Sequence, residues 1–64
     1  MKEYTQLCII DATETEYLKK VLDYMVTNSI DHECRFYAEH RTVGVYAWIT
    51  QQEYRQFLRS MDVY

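Results

Sequence analysis

The sequence has no proline and a single glycine, Gly44, in 64 residues. Those two residue types punctuate loops and linkers, so long irregular connections are excluded and the elements must follow one another closely. One glycine also excludes a glycine-rich phosphate-binding loop. No apolar run approaches the roughly 18 residues of a membrane span. The opening MKEYTQLCII lacks the long apolar stretch of a signal peptide, so the expected location is the cytoplasm and no membrane partner is expected. Positive charge is scarce as well: seven Lys and Arg against ten Asp and Glu leave a net charge of −3. Grip on DNA or RNA relies on Lys and Arg neutralising phosphates, and scattered basic residues among more numerous acids supply no basic stripe. Nucleic acid is therefore not the expected partner.

What is present suits a small globular protein. Hydrophobic residues make up 48% and charged residues 27%, which is folded rather than disordered composition. The length allows one compact domain, residues 1–64. A chain this short buries only about 60% of the surface its unfolded form exposes. Such chains often gain stability from a metal, disulfides or a second subunit.

The run YTQLCIIDA, residues 4–12, is rich in β-formers, with Leu7 and Ile9 on one parity and Cys8 and Ile10 on the other. A helix is expected to follow. Thr13 and Glu16 have capping-box spacing, and Leu18, Val21, Leu22 and Met25 form one apolar stripe flanked by Tyr17 and Val26. Asn28 is the expected left-handed stop. DHECRFYAEH and TVGVYAWIT then read as two strands joined around His40 and Arg41. A two-residue loop would pair Tyr37 with Gly44, Arg35 with Tyr46 and Glu33 with Trp48; a four-residue loop keeps the same facing, whereas a three-residue loop with a bulge would change it. Thr50 and Glu53 repeat the capping-box spacing, and Tyr54, Phe57, Leu58 and Met61 repeat the stripe. DVY, at the end, reads as a tail or the stub of a strand.

The predicted class is α+β with order β-α-β-β-α. Its three-stranded sheet in order 1-3-2 is the split arrangement of ferredoxin-like folds, because the third strand is the most apolar and suits the middle. Both helices then pack on the face carrying Phe36, Val45 and Ile49. The opposite face, with Glu33, Arg35, Tyr37, Tyr46 and Trp48, and Tyr4 at its edge, has nothing left to cover it. Monomeric proteins rarely leave a contiguous apolar patch of several hundred Å² in water, and Tyr, Trp and Arg are enriched at interface hot spots. These five residues are the candidate partner-binding site, for another protein or for a second copy of the chain. Cross-strand aromatic pairing that merely stiffens the sheet is the plainer alternative.

Other constellations carry less. Aromatics on a sheet can stack RNA bases, but stacking without phosphate neutralisation is weak. His32, Cys34 and Cys8 lack the paired spacing of a closed zinc site, so no metal or cofactor is expected. Cys8 and Cys34 read as buried free thiols, bridged only if their strands are adjacent. Either one with His32 or His40 is the sole nucleophile–base pair on offer, without a third orienting group, so no enzyme is expected and no catalytic residue is assigned. Asp11, Glu14 and Glu16 cluster at the start of the first helix. Helix dipole and solvation account for them, or they form an acidic surface that docks on a basic site. The expected function is thus a small non-enzymatic interaction protein that binds and modulates another protein, as inhibitor or adaptor, in the style of phage or mobile-element accessory proteins. A ferredoxin-like small-molecule-sensing domain, acting as a homodimer, is the alternative.

Overall fold

A computed structural model describes residues 1–61; the tail expected at 62–64 lies outside the described residues. Five elements follow one another: β1 (Glu3–Asp11), α1 (Thr15–Thr27), β2 (His32–Tyr37), β3 (Thr42–Ile49) and α2 (Gln51–Met61). The sheet order is β1-β3-β2, with β3 antiparallel to both neighbours, so the two outer strands run parallel to each other. This is the expected α+β arrangement. β3 takes the middle because it can be apolar on its inner face along its whole length: Val45, Ala47 and Ile49 are all buried.

Two register details differ from the expectation. The β2–β3 loop has four residues, 38–41, and pairs Tyr37 with Thr42, Arg35 with Gly44 and Glu33 with Tyr46. The ladder is therefore displaced by two residues from the two-residue-loop pairing. A shift of two keeps every side chain on its face, so the facing survives. Arg41 closes the loop with φ 53°, the left-handed conformation a tight turn needs in the absence of an Asn-Gly pair. In β1 a bulge lies between Gln6 and Cys8. An extra residue on one strand breaks the two-residue alternation, so Leu7 and Ile10 are both buried while Ile9 is 55% exposed. Simple parity had grouped Leu7 with Ile9.

The core is one cluster of Leu7 and Ile10 from β1, Val21 and Met25 from α1, Ile30, Val45, Ala47 and Ile49 from β3, and Phe57 from α2. Burying each of the larger side chains is worth about 1.5–3 kcal/mol. Both helices thus cover the same sheet face. Tyr24 and Phe57 meet edge to face at 5.6 Å where the helices touch. Coverage stops short of β2: Phe36, expected beneath the helices, is 64% exposed, and Cys34 beside it is exposed too. β2 is an outer strand, and two helices of 13 and 11 residues shield the middle of the sheet before its edge.

The helix ends separate two identical sequence signals. At α2 the capping box forms reciprocally: Glu53 N–H donates to Thr50 Oγ1 at 3.1 Å and Thr50 N–H donates to Glu53 Oε1 at 2.9 Å. At α1 the expected Thr13–Glu16 box does not form. Asp11, two residues earlier, captures both the Thr13 hydroxyl at 2.7 Å and its N–H at 2.9 Å, and Glu14 becomes the N-cap without a side-chain cap bond. An Asx turn competes for the same groups, and the nearer acceptor wins. At the other end of α1 the left-handed residue is Ser29, φ 54°, rather than Asn28. Ile30 N–H bonds Met25 C=O at 2.9 Å and Ser29 N–H bonds Val26 C=O at 3.1 Å, the Schellman pattern. Both Ile30 and Met25 are buried, which supplies the apolar contact that accompanies it.

Candidate functional site: the aromatic sheet face

Strand alternation sends Tyr4, Gln6, Ile9, Thr42, Gly44, Tyr46, Trp48, Glu33, Arg35 and Tyr37 to the side away from the helices, as the register places them. All five expected site residues therefore share one face. Tyr4 sits directly opposite Trp48, and Tyr46 lies between Gln6 and Glu33. Among the described residues no helix or strand packs over this face. Tyr4 is 43% and Trp48 40% exposed.

The side chains form a connected layer rather than a loose patch. Tyr4 and Tyr46 stack nearly parallel, 5.5 Å between centroids, and Tyr4 meets Trp48 at 4.8 Å with a 54° tilt. Aromatic pairs in such geometries contribute about 0.5–1.5 kcal/mol beyond their buried area. The Tyr4 hydroxyl donates to Glu33 Oε1 at 2.7 Å, spanning the sheet from one outer strand to the other. Arg35 lies 5.4 Å from the centre of the Tyr46 ring and its Nε is 3.7 Å from Glu33 Oε2. The Tyr37 and Tyr46 hydroxyls hydrogen-bond to each other.

Gly44 makes this closeness attainable. A Cβ at that position would lie 2.8 Å from Tyr46 Cε1 and 3.0 Å from Tyr37 Cε2. The two tyrosines arch over the bare backbone of the chain's one glycine. Close approach, not a positive φ, is what requires glycine here.

The electrostatics fit recognition. The hydrogen bond to Glu33 holds the Tyr4 proton and raises its pKa, and the Tyr37 hydroxyl does the same for Tyr46. The face thus presents neutral phenols, one guanidinium and one carboxylate already bonded to a phenol. Such groups can grip a complementary surface by stacking and hydrogen bonding.

The remaining candidates are dispersed. Asp11 is spent on its turn, and its bonds to Thr13 lower its pKa. Glu14 is the N-cap and Glu16 stands in the first turn of α1, both exposed. Cys8 and Cys34 each pair with Val45, from opposite sides. Two strand spacings, about 10 Å, separate them, beyond the reach of a disulfide. Both are free thiols, and burial pushes both pKa values up. The exposure of Cys34 departs from the buried thiol expected there. His32 Nδ1 lies 2.9 Å from Ile30 O. No group of three or more His, Cys, Asp or Glu is arranged for a metal among the described residues, and no helix there is long and apolar enough to cross a membrane.

Sequence reasoning missed Ile9 as a member of the open face. Its signal was the over-long apolar run LCII, which no single strand face can bury in strict alternation. The chain matches no family model, no curated protein and no solved structure.

Proposed function

We propose that this chain is a small non-enzymatic interaction protein that binds and modulates another protein through its open aromatic sheet face. The supporting observation is the bonded layer of Tyr4, Tyr37, Tyr46, Trp48, Glu33 and Arg35, left uncovered among the described residues. A surface whose rotamers are already held by stacking and hydrogen bonds loses little entropy on binding, and its composition is that of interface hot spots. Asp11, Glu14 and Glu16 add negative potential beyond one end of the sheet, which would steer a basic partner. Inhibitor and adaptor are the two modes of modulation that fit a module without a reaction centre.

The hollows of the single chain offer little to a small molecule. Those of about 420 Å³ at Thr13–Tyr17 and about 370 Å³ at Phe36–His40 are each lined by one continuous stretch of five residues. A third, lined from β1, β3 and α2 by Glu3, Thr5, Ile49, Thr50, Gln51 and Tyr54, is about 180 Å³, smaller than ordinary ligand pockets. The sensing alternative would instead place its pocket at a dimer interface. The test is quantitative capture of the partner from the native host by wild type, Trp48→Ala and Tyr46→Ala, each checked for folding by circular dichroism. Loss of the same definite partner from both variants supports the proposal. Undiminished capture by both sinks it, and a metabolite that raises the melting temperature by mass action would favour the sensing alternative.

A further inference from the structure

The outer edge of β2 is unpaired among the described residues, and its hydrogen-bonding parity is defined by one bond. Trp48 N–H donates to Asp31 C=O at 3.0 Å, in the register that pairs Glu33 with Tyr46. Residues 31, 33, 35 and 37 therefore turn their backbone groups toward β3. His32, Cys34 and Phe36 turn theirs outward. An exposed strand edge of this kind is a template for another strand. The other edge of the sheet is blunted, because β1 carries the bulge between Gln6 and Cys8.

We infer that β2 pairs antiparallel with β2 of a second copy, centred on Cys34, joining two three-stranded sheets into one of six strands. Only the outward residues can exchange hydrogen bonds, so the register moves in steps of two, and charge chooses among the steps. Centred on Cys34, Glu33 of each copy faces Arg35 of the other, twice, in the closely spaced non-hydrogen-bonded positions. One step one way sets Glu33 against Glu33, and one step the other way sets Arg35 against Arg35. Like charges directly opposite are destabilising.

The same register places Phe36, 64% exposed in the single chain, against His32 of the second copy on the helix side. Both open faces lie on one side of the joined sheet, so the dimer carries two aromatic layers side by side. A six-residue edge buries little area compared with stable dimers, so association is concentration-dependent. This pairing uses the strand edge; it shares Glu33 and Arg35 with the partner-binding face but does not involve Tyr46 or Trp48.

The test combines sedimentation over a concentration series with charge reversal. Wild type is expected to dimerise. Glu33→Arg and Arg35→Glu each set like charges opposite at two places and should weaken dimerisation about tenfold or more. An equimolar mixture of the two should regain it as a heterodimer, since every facing pair is again of opposite sign. Should either variant fail to fold, Cys34→Asp puts two carboxylates at the axis and should abolish the dimer alone. Mild oxidation of Cys8→Ser protein should yield a Cys34–Cys34 cross-linked dimer, because a hydrogen-bonded pair holds its Cα atoms about 5.5 Å apart, within disulfide reach. Trp48→Ala should leave the dimer intact, which separates this result from loss of partner capture. A monomer at all concentrations, a mixture that stays monomeric, or a dimer that survives both charge reversals overturns the proposal.

Discussion

Replacing Gly44 by alanine is the most direct test of how the aromatic face is built. The new Cβ would lie 2.8 Å from Tyr46 Cε1, closer than carbon atoms sit, and 3.0 Å from Tyr37 Cε2, tighter than nearly all such contacts. Ring ends can usually swing away at small cost. Here Tyr46 is stacked on Tyr4, bonded to Tyr37 and overlaid by Arg35, so moving it breaks several contacts together. Overpacking of this kind costs about 1–3 kcal/mol, while alanine in place of a strand glycine gains about 0.5–1 kcal/mol. Gly44→Ala should therefore lose stability overall, and each 1 kcal/mol lost should lower the melting temperature of a domain this size by about 4–8 °C. The decisive comparison is made in a Tyr46→Ala background. With that ring gone and Tyr37 released from its hydroxyl partner, the same substitution should become neutral or stabilising. The coupling read from urea unfolding of the four proteins should be about 1–3 kcal/mol. Equal destabilisation in both backgrounds would refute the claim that the rings impose the glycine.

Four further outcomes are expected. Thr50→Ala should cost about 0.5–2 kcal/mol in urea unfolding by removing a formed cap, whereas Glu16→Ala should cost far less because Glu16 caps nothing. Bonds to Thr13 and Thr50 hold Asp11 and Glu53 below the ordinary carboxylate range. Their contribution is therefore full above that range and lost as pH falls from it through the lowered folded values. Melting curves between neutral and acidic pH should show the loss, with a smaller drop in an Asp11→Asn, Glu53→Gln double variant. Tyr4 and Tyr46 should ionise later than ordinary tyrosines in an ultraviolet titration. Since folding raises these two pKa values, their contribution is present below the unfolded value and lost as pH rises through the folded one. Glu33→Gln should bring Tyr4 back toward the ordinary range. Ser29→Gly should raise the melting temperature, because a left-handed residue with a Cβ costs about 1–2 kcal/mol and glycine's added chain entropy offsets only about 0.5–1 kcal/mol of it.

Much of the architecture was legible along the chain. Apolar spacing at i, i+3, i+4 and i+7 marked both helices, and most of each stripe packs in one core, although Leu58 of the second stripe is 47% exposed. β3, the most apolar strand, marked the centre of the sheet, since only a strand with two neighbours is shielded so fully. The facing of the hairpin needed only an even loop, which the four residues 38–41 supply, because any even-length loop leaves the same side chains on the same side. That alone brought Glu33, Arg35, Tyr37, Tyr46 and Trp48 onto one surface.

Other features depended on competition between groups that the sequence only lists. Thr13 and Thr50 carry the same capping signal, yet only Thr50 uses it, because Asp11 stands two residues before Thr13 and nothing comparable precedes Thr50. The bulge that turns Ile9 outward is decided by how β1 must meet β3 to bury Leu7 and Ile10 together. The exposure of Phe36 follows from how far two short helices reach across three strands. The sequence by itself determined which residues of the hairpin share a face; tertiary structure decided the facing of β1 past its bulge and which side chains touch. Alternation is a property of one backbone, whereas the arch of Tyr37 and Tyr46 over Gly44 exists only where two strands and their register meet.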